Sequence, residues 1–134
     1  MLTTFDTETI LFNLLNGKTS MTGGVWTGDD TRPVNDIGEA IVINTIDLLT
    51  DVSPQTGTSN VNIYVPDTPK KIGGVDCVTS NRPRLRQLTN EVLAVLRDAV
   101  IPGLTITPGN ESTQDEPNIR QHYVNIRVDW NICI

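Results

Sequence analysis

"HYVNIRVDWNICI" (residues 122 to 134) decides how this chain folds. Successive side chains of an extended strand point to opposite sides. Val124, Ile126, Val128, Trp130, Ile132 and Ile134 therefore share one face, and Tyr123, Asn125, Arg127, Asp129 and Asn131 the other. A strand so sharply divided needs an apolar layer on one side and tolerates water on the other.

Working outward, "NVNIYVPD" (60 to 67) repeats the pattern. Val61, Ile63 and Val65 alternate with Asn60, Asn62 and Tyr64, and Pro66 stops the ladder because it has no N–H to give. "EAIVINTIDLL" (39 to 49) is too β-branched for a good helix and predicts a central strand buried on both faces. Shorter strands are expected around Val25 and Trp26 and over 103 to 109.

Two helices supply the missing layer. Over "FDTETILFNLLNG", Asp6 is the expected N-cap, Phe5 and Ile10 form a hydrophobic staple, Gly17 ends the helix, and Ile10, Leu11, Leu14 and Leu15 form its apolar face. Asn81 caps the second helix, with Pro83 in its first turn. Leu85, Leu88, Val92, Leu96 and Ala99 recur along it at helical spacing, and "IPG" stops it. The expectation is one α+β domain over 1 to 134: a two-layer sandwich with a mostly antiparallel sheet of four to five strands and two helices on one face. Long polar loops are expected at 28 to 38, 50 to 59, 67 to 80 and 108 to 118.

The balance of charge narrows the function classes. With 16 acidic against 10 basic residues, the net charge is −6, which argues against wrapping nucleic acid over the whole surface. Cys77 and Cys133 sit in no metal or redox spacing and read as reduced, structural thiols of a reducing cytoplasm. The opening residues have no signal-peptide pattern, and no run approaches the ~18 apolar residues of a membrane span.

Catalytic signatures are equally sparse. His122 is the sole histidine and, in register with Val124 and Ile126, reads as a half-buried structural residue rather than a general base. Asp29-Asp30 and Asp115-Glu116 lack calcium-loop spacing, and "KKIGG" lacks the order of a phosphate loop. The expectation is no enzyme, no cofactor and no metal.

"NRPRLRQ" stands out because Arg82, Arg84 and Arg86 crowd a helix N-terminus that is already positive. One reading pairs them with local carboxylates such as Asp76. The other has them meet an acidic surface of another subunit or a phosphate backbone, both of which suit guanidinium forks.

The order of elements resembles a known family. A leading helix ending "LLNG", a Gly-Trp strand before a loop, a long Ile/Val strand, "VNIYVPD", a helix closing in "VLRDAVIPGLTI" and the last strand "HYVNIRVDW" look like the small tail-completion or tail-terminator proteins of long-tailed bacteriophages and the related head-to-tail neck proteins. The likeness spans nearly the whole chain. It departs from that pattern in a long 50 to 59 connector and a polar 108 to 118 loop.

The resemblance implies a structural subunit, not an enzyme. It implies a homo-oligomeric ring, six-fold or twelve-fold, in the tail or neck of a virion after assembly from the host cytoplasm. The implied partners are tail-tube, neck or portal-associated proteins, with DNA passing through without sequence-specific binding and no membrane. Within that frame the loops 28 to 38 and 67 to 80 are expected to reach a neighbour, which makes Asp29, Asp30, Lys70, Lys71, Arg82, Arg84 and Arg86 the candidate interface residues. The alternative is a small soluble binding module that uses its polar sheet face and loops.

Overall fold

Thr3, not Asp6, starts the first helix. In this computed structural model, which describes residues 1–28 and 31–133, the Thr3 hydroxyl accepts the Asp6 N–H at 3.3 Å and the Asp6 carboxylate accepts the Thr3 N–H at 2.8 Å. This reciprocal capping box satisfies two donors that the helix end would otherwise strand. The Thr3 N–H foremost holds the Asp6 carboxyl below the usual range. The cap shifts the frame, so the expected staple does not form and Phe5 is 77% exposed. Helix α1 (Thr4–Leu15) buries Thr7, Leu11 and Leu15, and Gly17 follows it at a positive φ of 73°.

The fold is α+β. Strands β1 (Gly24–Thr27), β2 (Ala40–Leu48) and β3 (Gln55–Pro66) follow α1, then β4 (Thr68–Ile72) and β5 (Val75–Thr79), helix α2 (Arg82–Asp98), β6 (Leu104–Glu116) and β7 (Gln121–Ile132). Five strands form one sheet in the order β1-β2-β3-β7-β6, and β4 and β5 form a separate two-stranded sheet. The main sheet is mixed, because β1 runs parallel to β2 while every other pair is antiparallel. The middle strand is β3; β2 lies one place toward the β1 edge, and only its first half, Ala40 to Ile43, is buried on both faces.

Three of the expected loops are strands. Residues 55 to 59 belong to β3, where Gln55 pairs with Ile132 and Ser59 with Val128. The 67 to 80 segment is the β4–β5 hairpin, turned by Gly73 and Gly74 at φ of 59° and 79°. Two consecutive positive φ values are what a two-residue hairpin turn of matching twist demands. The acidic 108 to 116 stretch continues β6 after a register shift between Pro108 and Glu111. Polar composition hid these strands, since pairing to β7 and not apolar alternation makes β6 extended.

Both helices cover the inward stripes of the sheet. Leu11, Leu15, Leu85, Leu88, Val92 and Leu96 pack on Ile41, Ile43, Val61, Ile63, Val124, Ile126, Val128, Trp130 and Ile132. Each large aliphatic side chain buried in this way contributes roughly 1.5–3 kcal/mol.

A line of hydroxyls crosses this core. The Trp130 indole N–H donates to Ser59 Oγ at 2.8 Å, Ser59 and Thr45 hydroxyls lie 2.8 Å apart, Thr45 and Thr7 hydroxyls 2.7 Å, and Thr7 Oγ1 donates to the Thr4 carbonyl at 2.8 Å. An indole N–H can only donate and a carbonyl can only accept, so every proton in the line points from β7 toward α1.

Ser59→Ala is expected to cost about 1–3 kcal/mol, because the buried Trp130 N–H loses its acceptor, and Ile126→Ala about 2–5 kcal/mol from lost burial and a residual cavity. Urea unfolding midpoints measure both; a Ser59→Ala chain as stable as the parent would mean that the indole finds another acceptor.

Candidate functional site

The three arginines of α2 divide into two roles. Arg84 turns inward. Its Nε and Nη2 donate to the two carboxylate oxygens of Glu39 at 2.7 and 2.9 Å, its Nη1 donates to Ser20 Oγ at 3.1 Å, and Nη2 also reaches the Ser20 carbonyl at 2.8 Å. Glu39 accepts further from the Thr22 N–H and hydroxyl, and Glu91 accepts the Ser20 N–H and hydroxyl at 2.7 Å each. Arg84 thus ties the start of α2 to the approach to β1 and the entrance of β2. Arg84 above all holds the Glu39 carboxyl below its ordinary range, and Glu39 raises Arg84.

Arg82 and Arg86 turn outward. Both are exposed, and neither forms an ion pair among the described residues. They flank a groove between α2 and the outer half of β6, floored by Leu85, Leu93 and Val124, with Glu111 and Thr113 on the β6 side. Thr89 also lines it, and its buried hydroxyl has no partner among the described residues. Beyond Pro108 the β6 side chains are polar where the paired β7 positions are apolar, Glu111 opposite Ile126 and Thr113 opposite Val124, and the groove lies along this part of the strand.

Lys70 and Lys71 lie on the β4–β5 hairpin, an arm whose two strands pair with each other and with no strand of the main sheet. Asp76, a possible partner for the arginines on sequence grounds, lies instead across from Lys71, 3.9 Å away, with both side chains more than three-quarters exposed. An ion pair so exposed contributes little. Ile72, Val75 and Val78 are each at least half exposed on the same arm.

His122 sits at the arm's root. Its Nδ1 is 2.7 Å from the well-buried Asp67 carboxylate, its Nε2 is 3.7 Å from Asp115, and the Asp67 N–H donates to the Arg120 carbonyl at 2.9 Å. These three side chains are the ones among the described residues that could hold a cation. The shortest of these contacts is the one between His122 and Asp67. The arrangement works as a clamp that fixes where the arm leaves the body.

The segment before β2 folds back onto its own sheet. Arg32 lies 4.8 Å over the Tyr64 ring, pairs with Asp36 at 3.1 Å and donates to Gln121 Oε1 at 3.0 Å, while Gln121 Nε2 donates to the Ile37 and Gly38 carbonyls. It still displays Val34 and Ile37 to solvent. Asp29 and Asp30 lie outside the described residues. Under this cover Tyr64 stacks on Tyr123, and beyond it the polar face carries Asn125, whose amide donates to both Asn60 and Asn62.

Of the predicted interface residues, the fold brings Arg82 and Arg86 together on one groove and Lys70 and Lys71 together on one arm, and it takes Arg84 inside. Sequence reasoning missed Glu39, Ser20, Asp67 and Gln121, whose partners are long-range and leave no local pattern. The chain matches no protein-family model, and no curated protein matches it. No helix among the described residues is long and apolar enough to cross a membrane.

Because its folded carboxyl is depressed, Glu39 contributes stability that is complete above the ordinary glutamate value of about 4.3 and fades as pH falls through the lowered folded value. Glu39→Gln is expected to cost about 1–2 kcal/mol at neutral pH and to flatten the acid-side fall in stability. Unfolding free energies measured across pH 3 to 7 check this (a range bracketing about 4.3); equal acid slopes in parent and variant would refute the assignment.

Proposed function

We propose that this chain is a ring-forming structural subunit of a bacteriophage virion, joining or capping the tail at the head-to-tail region, and that it acts through contact with neighbours and not through bond chemistry. The observation that carries this reading is the arm. An isolated two-stranded hairpin is marginal in water, yet this one displays Ile72, Val75 and Val78 with no cover from its own sheet. Such an element gains its stability from another molecule.

The element order read from the sequence, which resembles that of tail-terminator and neck proteins, supports the same reading. Self-assembly into a ring needs two different complementary patches on each copy. The arm and the exposed Arg82–Arg86 groove are two such patches. A binding module working from the polar sheet face is less favoured, because Asn125 already bonds to Asn60 and Asn62 and Arg32 covers Tyr64.

Light scattering after size exclusion, with negative-stain imaging and with tail-tube protein supplied, is expected to show closed rings. Replacing residues 68 to 79 by a short Gly-Ser linker is expected to leave a folded monomer with an unchanged melting temperature and no ring. A parent chain that stays monomeric at high concentration and with its partner present would end this reading.

A further inference from the structure

We propose that the β4–β5 arm of one copy lies in the α2–β6 groove of the next, with β5 against α2 and β4 against β6; the inference rests on the assembly reading and names the surfaces that carry it. The two surfaces sort their charges in the same way. On the arm the strands differ in sign, with Lys70 and Lys71 on β4 and Asp76 on β5. On the groove the walls differ in sign, with Arg82 and Arg86 on α2 and Glu111 on β6. Laid with its Ile72–Val75 face down, the arm sets Lys70, on that same face, against Glu111, while Asp76, on the upper face, comes within reach of the long exposed guanidiniums that rim the α2 wall. The reversed orientation would set like charges side by side.

The weak Lys71–Asp76 pair, 3.9 Å apart and exposed, is free to trade partners on docking. Between the charges, Ile72 and Val75, paired at the tip, find an apolar floor of Leu85, Leu93 and Val124. Lengths also agree. A five-residue strand spans ~17 Å at ~3.4 Å per residue, and the twelve helical residues from Arg82 to Leu93 span ~18 Å at ~1.5 Å each. No arm residue lines the groove of its own chain.

Strand addition along the free edge of β6 is the rival contact, and the sequence there opposes it. Pro108, the register shift after it, and Glu111, Asp115 and Glu116 are features that keep an edge from pairing. The groove beside that edge has no such protection.

The test uses the arm's own thiol. In a Cys133→Ser background, Asn90→Cys places a second thiol on the α2 wall, where β5 and Cys77 are expected to lie. Mild oxidation should give a ladder of disulfide-linked chains on a non-reducing gel, abolished by Cys77→Ser. A second pair, Lys70→Cys with Thr113→Cys in a chain lacking Cys77 and Cys133, probes the other wall and guards against a folding defect in the first; thermal melts check both.

By light scattering, Arg82→Glu with Arg86→Glu should weaken self-association at least tenfold, and Asp76→Arg in the same chain should restore it. Rings without interchain disulfides at either pair would overturn the arm-in-groove contact and leave the assembly reading standing. A disulfide closed within one chain would overturn it in favour of self-docking, and a strictly monomeric parent chain would overturn both.

Discussion

Everything in this fold depends on covering one side of β7. Its inward stripe, Val124 through Ile132, is flanked by β3 on one edge and β6 on the other, and α1 and α2 lie over the shared surface. Burial drives that arrangement, but burial has no direction. The hydroxyl line from Trp130 through Ser59, Thr45 and Thr7 supplies direction, because it closes its hydrogen bonds when α1 stands at one place over β2 and β3. Apolar packing decides that helices cover the sheet, and the polar line decides where α1 sits. With the core complete, the arm, the groove and the charged edge are left outside it.

The apolar half of this design was readable from sequence. Period-two alternation in β3 and β7 and the leucine stripe of α2 marked the core, and Asn81 capped α2 as expected. Reading failed where extension comes from a partner strand. "NESTQDE" has no apolar alternation, yet it pairs with β7 from Glu111 to Glu116 because β7 offers an unmatched ladder there. "PKKIGGVDC" fails for a related reason: its strands are held by a Gly-Gly turn and by each other, so no buried face imposes a pattern. The parallel placement of β1 left no trace in its four residues.

The candidate site was legible as composition and not as geometry. Three arginines at alternate positions look equivalent in a string, but on a helix Arg84 lies 200° round from either neighbour at about 100° per residue, which separates the inward fork to Glu39 from the two outward cations. That division follows from helical periodicity once α2 is placed. Its counterpart does not: Glu39 lies 45 positions upstream of Arg84, and no local rule joins them. Likewise His122 was readable as half-buried, whereas Asp67 as its anchor becomes visible when β3 and β7 are aligned.

The parallel pairing of β1 with β2 has a consequence for which surfaces a neighbour meets. Two strands running the same way need the chain to travel back along the sheet before the second begins, and here the last part of that return, from Arg32 to Gly38, is fastened across the polar side by Arg32 on Tyr64 and by Gln121. The sheet's outer side is thereby split into a roofed end near Tyr64 and an open terrace running through Asn125, Arg127 and Asp129. The arm springs from Asp67, at the roofed end, so the lever and the terrace lie at opposite extremes of the same strands.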